Sequence, residues 1–440
     1  MTKNNILLGL APPFWPLMPP IGLGYLQEFL LKHGINTEIL DLNNLFYNLS
    51  DEALKKEWLI SCNTELEKNI YSIIQQNHHT EYDNVVDRML ECDVIGFSCF
   101  KSNIESTYEF VKLLKSKCNS PRIILGGPEI TRQYYKNNFK LNHEIFSYAD
   151  FSVVGEGEKP LLGYLEGLKN NVKHAEFEQV KNLDDLPFPR YKNLNFHNYR
   201  KNNSVPMLFS RGCTRNCRFC SERLLYKGFR IRGISNIIEE VRYHKLNNNI
   251  THFIFFDSMI NADIRLLEKL CDQIIGNFGS INWEAQISIR NDMHPTLLDK
   301  MKRSGCYHLF VGLESGSDSI LSRMNKGFTS NEAIDFFRKL NNSGLSFGVS
   351  LIVGYPGETD HEFKESLDFL VRNKDIIPKI EQINPFTYYD GTLADKDADY
   401  KLQPDALEKY KIFVGEIKRH NFKYTGAFLG NLIEKNAGSK

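Results

Sequence analysis

Arg211-Gly212-Cys213-Thr214-Arg215-Asn216-Cys217-Arg218-Phe219-Cys220 sets three cysteines four and then three residues apart, directly after an apolar run from 205 to 210 that reads as a strand. Thiolates are soft ligands. Three at this spacing wrap one corner of an iron–sulfur cube and leave one iron without a protein ligand. Zinc is the competing reading, but a structural zinc site takes four ligands, usually as paired Cys-x-x-Cys units. The next cysteine, Cys271, falls on a predicted helix. Burial as small core residues is the third alternative. The chain has 9 cysteines. The other six (Cys62, Cys92, Cys99, Cys118, Cys271 and Cys306) stand singly and read as structural.

Downstream of the triplet, short apolar runs alternate with helical patterns. Strands are predicted at 205–210, 251–256, 282–287, 307–313, 347–353 and 381–385. Helices are predicted at 236–246, 264–277, 295–303, 331–342 and 360–373. Six such units predict a partial parallel barrel, with its chemistry at the carboxyl ends of the strands. Upstream, strands are predicted at 6–10, 37–42, 94–99, 122–127 and 151–155. Helices at 23–32 and 105–117 and a polar, helix-favouring insertion at 51–87 separate them. That series predicts a doubly wound open sheet of flavodoxin-like type. Leu186-Pro187-Phe188-Pro189-Arg190 cannot be interior helix. The domains expected are therefore 1–180, an open sheet; 181–200, a proline-rich linker; 201–395, the partial barrel; and 396–440, a helical C-terminal segment.

The whole chain has 440 residues, 42% hydrophobic and 25% charged, with 54 basic and 54 acidic side chains. This balance argues against a polybasic nucleic-acid binder. No apolar stretch approaches the roughly 20 residues of a membrane span, and Met1-Thr2-Lys3-Asn4-Asn5-Ile6 lacks a signal-peptide pattern. The expectation is a cytoplasmic protein whose cysteines are thiols or metal ligands.

Cys213-x-x-x-Cys217-x-Phe219-Cys220, after the first strand of a six-unit partial barrel, resembles the radical SAM superfamily. Val311-Gly312-Leu313-Glu314-Ser315-Gly316, Trp283 to Arg290, and Ile352 to Thr359 agree with it at later strand ends. In the front domain, Pro19-Pro20-x-Gly22-Leu23-x-Tyr25-Leu26, Ile95-Gly96-x-Ser98, Gly126-Gly127-Pro128 and Gly155-Glu156-Gly157-Glu158 are similar to the cobalamin-binding domain of class B radical SAM methyltransferases. With them the resemblance covers nearly the whole chain. One departure is that Asp-x-His-x-x-Gly, which supplies a histidine to cobalt in other cobalamin proteins, is absent.

The resemblance implies a 4Fe-4S cluster on Cys213, Cys217 and Cys220. S-Adenosylmethionine would lie on the open iron and yield a deoxyadenosyl radical. It implies Phe219 beside the cluster. Glu314 and Arg290 would meet the ammonium and carboxylate of S-adenosylmethionine, and Gln286 and Ser350 its ribose. Internal alternatives are a salt bridge for Glu314, and Asp292 or Glu314 as the partner of Arg290. Trp15, Ser98, Gly126, Gly127, Pro128, Gly155, Glu156 and Glu158 are the candidate cobalamin contacts. Phe256, Trp283 and Phe386 are expected inside the barrel, and Asp257 is a strand-end acid of open role. The leading expectation is methylation of an unactivated carbon of a small-molecule or peptide substrate. Flavodoxin or ferredoxin would donate electrons. A radical rearrangement, oxidation or cyclisation is the alternative. A methylthiotransferase would need three more cluster cysteines in the front domain. An electron carrier would need a fourth cysteine.

Overall fold

The computed structural model describes residues 5–60, 63–118, 120–168, 172–394 and 406–424. Cys62 and the ends of the predicted C-terminal segment lie outside them. The chain divides into two compact units, Met1–Pro206 with Leu224–Arg230, and Met207–Arg223 with Ile231–Lys440.

The first unit carries a six-stranded sheet. Its strands are β1 (Ile6–Leu10), β2 (Thr37–Asp41), β3 (Val94–Ser98), β4 (Arg122–Gly126), β5 (Phe151–Val154) and β6 (His174–Glu176), in the order β2-β1-β3-β4-β5-β6. All pairings are parallel. Strands β1 and β5 are buried at every residue, as a sheet covered on both faces requires. The order reverses between β1 and β3, so the crevice for ligands opens at the loops after those strands. The sixth strand was not expected. It is short and polar, and only Ala175 is buried.

Around the sheet lie α1 (Ile21–Lys32), α2 (Leu42–Leu49), α3 (Glu52–Trp58), α4 (Thr64–Asn77), α5 (His79–Leu90), α6 (Ile104–Lys117), α7 (Pro128–Lys136) and α8 (Glu158–Leu165). The insertion between β2 and β3 is thus a helical layer. It adds Trp58, Ile70, Ile74 and Tyr82 to the core under β1 and β3.

The proline-rich stretch is not a free tether. Leu186, Tyr191, Phe196 and Tyr199 are buried. Gln27 Nε2 donates to Asn193 Oδ1 at 2.8 Å, Arg190 pairs with Glu28 at 2.7 Å, and Tyr199 OH donates to Asp41 Oδ2 at 2.8 Å. Gly24 admits the contact, since a Cβ there would lie 2.6 Å from the Tyr191 ring. Proline forbids helix but not packing.

The second sheet runs β14-β13-β12-β11-β10-β7, from β7 (Ser204–Met207) through β10 (His252–Phe255), β11 (Asn282–Ile287), β12 (Cys306–Glu314) and β13 (Phe347–Val353) to β14 (Ile380–Pro385). Strands β10 to β14 pair in parallel, and β7 does not pair with β14, so the barrel is incomplete. The connecting helices are α9 (Glu222–Leu225), α10 (Ile234–Asn247), α11 (Ile264–Phe278), α12 (Pro295–Arg303), α13 (Asp318–Arg323), α14 (Ser330–Asn342) and α15 (Asp360–Arg372). Capping boxes at Thr329/Glu332 and Thr359/Glu362 start α14 and α15, satisfying two orphan donors each. Helix α16 (Ala406–Arg419) precedes a bridge from Tyr424 to Ile380 that covers the β14 edge. The strand predicted at 205–210 breaks after Met207. Its end, β8 (Ser210–Arg211), pairs instead with β9 (Arg230–Ile231).

Candidate active site

The cysteine loop leaves β8 through Gly212, whose φ of 82° is left-handed, a conformation that costs glycine nothing. Backbone bonds then fix the loop. Arg218 N donates to Met324 O at 3.0 Å, Ala394 N to Arg218 O at 2.9 Å, and Cys220 N to Cys217 O at 3.2 Å. Asn325 Nδ2 donates to Asn216 O at 2.8 Å, and Arg215 Nη2 to Ile289 O at 3.1 Å. The segment after α13 therefore straps the loop in place. Cys213, Cys217 and Cys220 are half-buried and free. They lie within electrostatic reach of one another. Burial raises the Cys213 thiol and pushes Cys220 up to about 12, so a metal must displace protons to bind. Among the described residues no three His, Cys, Asp or Glu side chains converge on a single-ion site. In a cube each thiolate takes a different iron, and three thiols spread along one pinned loop fit that donor set.

Beside the loop stands Glu314. Its φ is 71°, left-handed for a residue with a Cβ, and the β12–β13 register shifts between Gly312 and Glu314. This bulge re-aims the side chain. The carboxylate lies over Gly312, where a Cβ would sit 2.7 Å from Oε1. Lys326 Nζ pairs with Glu314 Oε1 at 3.2 Å, and Ser350 Oγ donates to Oε2 at 3.2 Å. Both partners of the ion pair are nearly buried, at 9% and 13% exposure. The ammonium also lies 5.8 Å from the Phe219 ring centroid and 5.7 Å from that of Phe328, within cation–π range. Phe219 itself packs against Ile320, Met324, Tyr355 and Phe386. Glu314, Ser350, Phe219 and the cysteine loop thus come together. Lys326 joins them and was missed, because nothing local to Asn325-Lys326-Gly327 marks it.

Other expected residues are engaged elsewhere. Arg290 does hold a carboxylate, but the chain's own. It binds Asp292 at 2.7 and 3.0 Å and donates to Asn261 O and Ala262 O. Ser350 serves Glu314. Gln286 is exposed on its strand. Trp283 corrects the expected barrel lining. It alternates to the helix side, 1% exposed, with Nε1 bonded to Ser304 Oγ at 3.1 Å. Phe386 is buried against Tyr355, while Phe256 is exposed.

In the first unit the strand-end loops are knit together. Asn103, fully buried, donates to Ala11 O at 3.0 Å and Ser98 O at 3.3 Å. Cys99 N donates to Gly126 O, Glu129 N to Cys99 O, and Gly155 N to Thr131 Oγ1. Gly127 has φ 100°, and a Cβ on it would meet Cys99 O at 2.7 Å. Gly126, Gly127 and Ser98 are half-buried and Pro128 is exposed at the start of α7. They form a shelf of bare backbone. The Trp15 loop is pinned on both flanks by Phe14 N to Asn43 Oδ1 and Arg200 N to Pro16 O, leaving Trp15 43% exposed. No histidine occurs between Ala11 and Pro20. The shelf suits a flat macrocycle approached without a protein imidazole.

Gly155 has φ 91° and sits close to Phe177. Glu156 and Glu158 correct the expected contacts, because both are buried. Glu156 is locked to Arg230, with one contact at 3.2 Å. Residues 224–230, the stretch just after the cysteine loop, belong to this unit. There Lys227 Nζ meets Tyr135 OH at 2.6 Å.

Residues 207–370 match the model of the Radical SAM superfamily. The chain is 27% identical over 298 residues to a methyltransferase-named protein of Pyrococcus horikoshii, covering 63% of each. It is 29% identical over 308 residues to a protein of Methanocaldococcus jannaschii named for methylthio transfer, covering 64% of this chain and 65% of the relative. The chain thus spans less than two thirds of either relative's length. Among solved structures, the radical S-adenosylmethionine methyltransferase TsrM from Kitasatospora setae, with cobalamin and a 4Fe-4S cluster bound, superposes with a TM-score of 0.68. Its identity is 16%, over 90% of this chain and 74% of that one. At that identity the likeness is one of fold.

Proposed function

We propose that this chain, a radical SAM enzyme related to the cobalamin-dependent methyltransferases, methylates an unactivated carbon of a small-molecule or peptide substrate. When bound, the cluster and S-adenosylmethionine supply a 5′-deoxyadenosyl radical, and methylcobalamin supplies the methyl group. Flavodoxin or ferredoxin is the electron donor proposed. The observation that carries the reading is the Glu314–Lys326 pair beside the cysteine loop. An amino acid's ammonium needs an anion and its carboxylate a cation. This pair offers both within 3.2 Å, and the two charges are held for each other until such a zwitterion separates them. Cys213, Cys217 and Cys220 would hold the cluster, Phe219 would screen it from water, and Ser350 would steady Glu314. In the first unit, Ser98, Gly126, Gly127, Gly155 and Trp15 would hold the corrin.

Methylthio transfer is less well supported. Cys92 precedes β3 and Cys99 follows it, at opposite ends of the strand, so with Cys118 they do not form a second ligand set.

Anaerobic reconstitution followed by an ultraviolet–visible spectrum tests cluster and corrin together. The expected result is about four irons per chain, lost when Cys213, Cys217 and Cys220 are all replaced by Ala. A full cluster in that variant would sink the assignment. Hydroxocobalamin should also bind, and paramagnetic spectra of its reduced cobalt(II) form should lack nitrogen splitting from an axial base. Cofactor cleavage with no cobalamin bound would instead favour a radical rearrangement, oxidation or cyclisation.

A further inference from the structure

The turn that feeds the cysteine loop, 207–211, is held by a buried charge cluster that none of the roles above uses. Asp257, at the end of β10, is 1% exposed. Its carboxylate accepts from Phe209 N at 2.9 Å and from both Ser210 N and Ser210 Oγ at 2.5 Å. From the other side, Arg232 Nη1 donates to Leu208 O at 2.7 Å and Arg232 N to Phe209 O at 2.8 Å. Arg232 is oriented in turn by Glu240 at 2.7 Å, with both side chains almost fully buried. Phe256 N donates to Met207 O at 2.9 Å. The break in the predicted strand is therefore no frayed end. Its polar groups have left the ladder for a carboxylate on one side and the guanidinium and backbone N–H of Arg232 on the other.

The donor count dictates the residue type. Three donors converge on one side chain, so that side chain must be acceptor-only, and among uncharged candidates asparagine would turn a donor toward them. Beyond Ser210 only Arg211 and Gly212 precede Cys213, so an error at Ser210 passes directly to the first thiol.

Building on the cluster reading above, we propose that Asp257 is a positioning residue for the cysteine loop, acting through Phe209 and Ser210 to set the place of Cys213. It touches neither cluster nor cofactor.

The test uses the full chain with Asp257→Asn, Asp257→Glu and Ser210→Ala. Two readouts are taken, and apo melting temperature is recorded for each variant. The first is the alkylation rate of Cys213 in the apo protein, against Cys217 and Cys220, mapped by mass spectrometry. The second is the rate at which a chelator strips the reconstituted cluster, with the paramagnetic spectrum of its reduced form. Asp257→Asn should raise the alkylation rate of Cys213 relative to the other two. It should also speed cluster loss about 10-fold, the scale of an outer hydrogen-bond partner of a metal ligand. Asp257→Glu, with the same acceptor chemistry, should fall between. Ser210→Ala removes one of the three bonds and should give a smaller change in the same direction, which keeps the test valid if Asp257→Asn fails to fold. Wild-type alkylation ratios, chelation rates and spectra in Ser210→Ala and in any folded Asp257 variant would overturn the proposal. A wild-type chain that takes up no cluster would overturn the cluster reading instead, and the alkylation ratio would still decide the role of Asp257.

Discussion

Glu314 combines three features that are costly singly. It has a left-handed backbone, a bulge beneath it, and a charge nearly out of water. Strain of this kind persists where the surroundings over-determine it and gathers at working sites. Glu314→Gln should weaken S-adenosylmethionine binding by about 10- to 150-fold, the loss of one charge-assisted contact of about 1.5–3 kcal/mol, and leave iron content unchanged. An unaltered dissociation constant would make Glu314 a structural acid held by Lys326 and Ser350. Gly312→Ala tests the geometry rather than the charge. A methyl placed 2.7 Å from Oε1 must push the carboxylate off its position, so equilibrium binding should weaken with the cluster intact. Equal affinity would show that the carboxylate can move freely. Glu314 was legible in the sequence as an acid closing an apolar strand. Its partner was not, because Lys326 lies on a separate loop and meets it only through the β12–α13 return.

At the scale of elements, the periodic runs were legible and the irregular joins were not. Strand β11 and helix α12 fall where the pattern places them, at Asn282–Ile287 and Pro295–Arg303. The joins differ because their backbone partners come from distant residues. Asp257 and Arg232 stop β7, and Tyr191 and Tyr199 seat the proline-rich stretch. That seating makes a prediction for limited trypsinolysis of the native chain. Cutting at Arg190 or Lys192 requires the segment to peel away, but Asn193 is clamped to both Gln27 and the Ile39 backbone. Mass spectrometry should find these sites cut no earlier than those within helices. Early cleavage there would show that the stretch is only loosely held.

Across the whole molecule, buried acids set the pH response of folding. Burial raises Asp41 and Asp257 to about 6 and Glu358 to about 7. For an acid raised on folding, the native state binds the proton more tightly than the unfolded chain. The stability it contributes is full below the unfolded value and is lost as pH climbs through the folded one. The melting temperature of the apo chain should therefore fall between about pH 4 and about pH 7, and Asp41→Asn should flatten that slope. Parallel curves for wild type and variant would contradict the assignment. Among the described residues no helix is long and apolar enough to cross a membrane.

Local pattern alone carried two series of parallel β/α units, the cysteine triplet after the first barrel strand, and glycines where strand-end loops run bare. Apolar period and ligand spacing are short-range properties, readable within a dozen residues. Tertiary structure alone decided which charges meet. It turned Glu156 inward to Arg230, gave Arg290 to Asp292, set Trp283 against Ser304, and brought Lys326 to Glu314. A charge's partner is chosen by where the strands end in space, and that is a property of the closed fold rather than of any window of sequence.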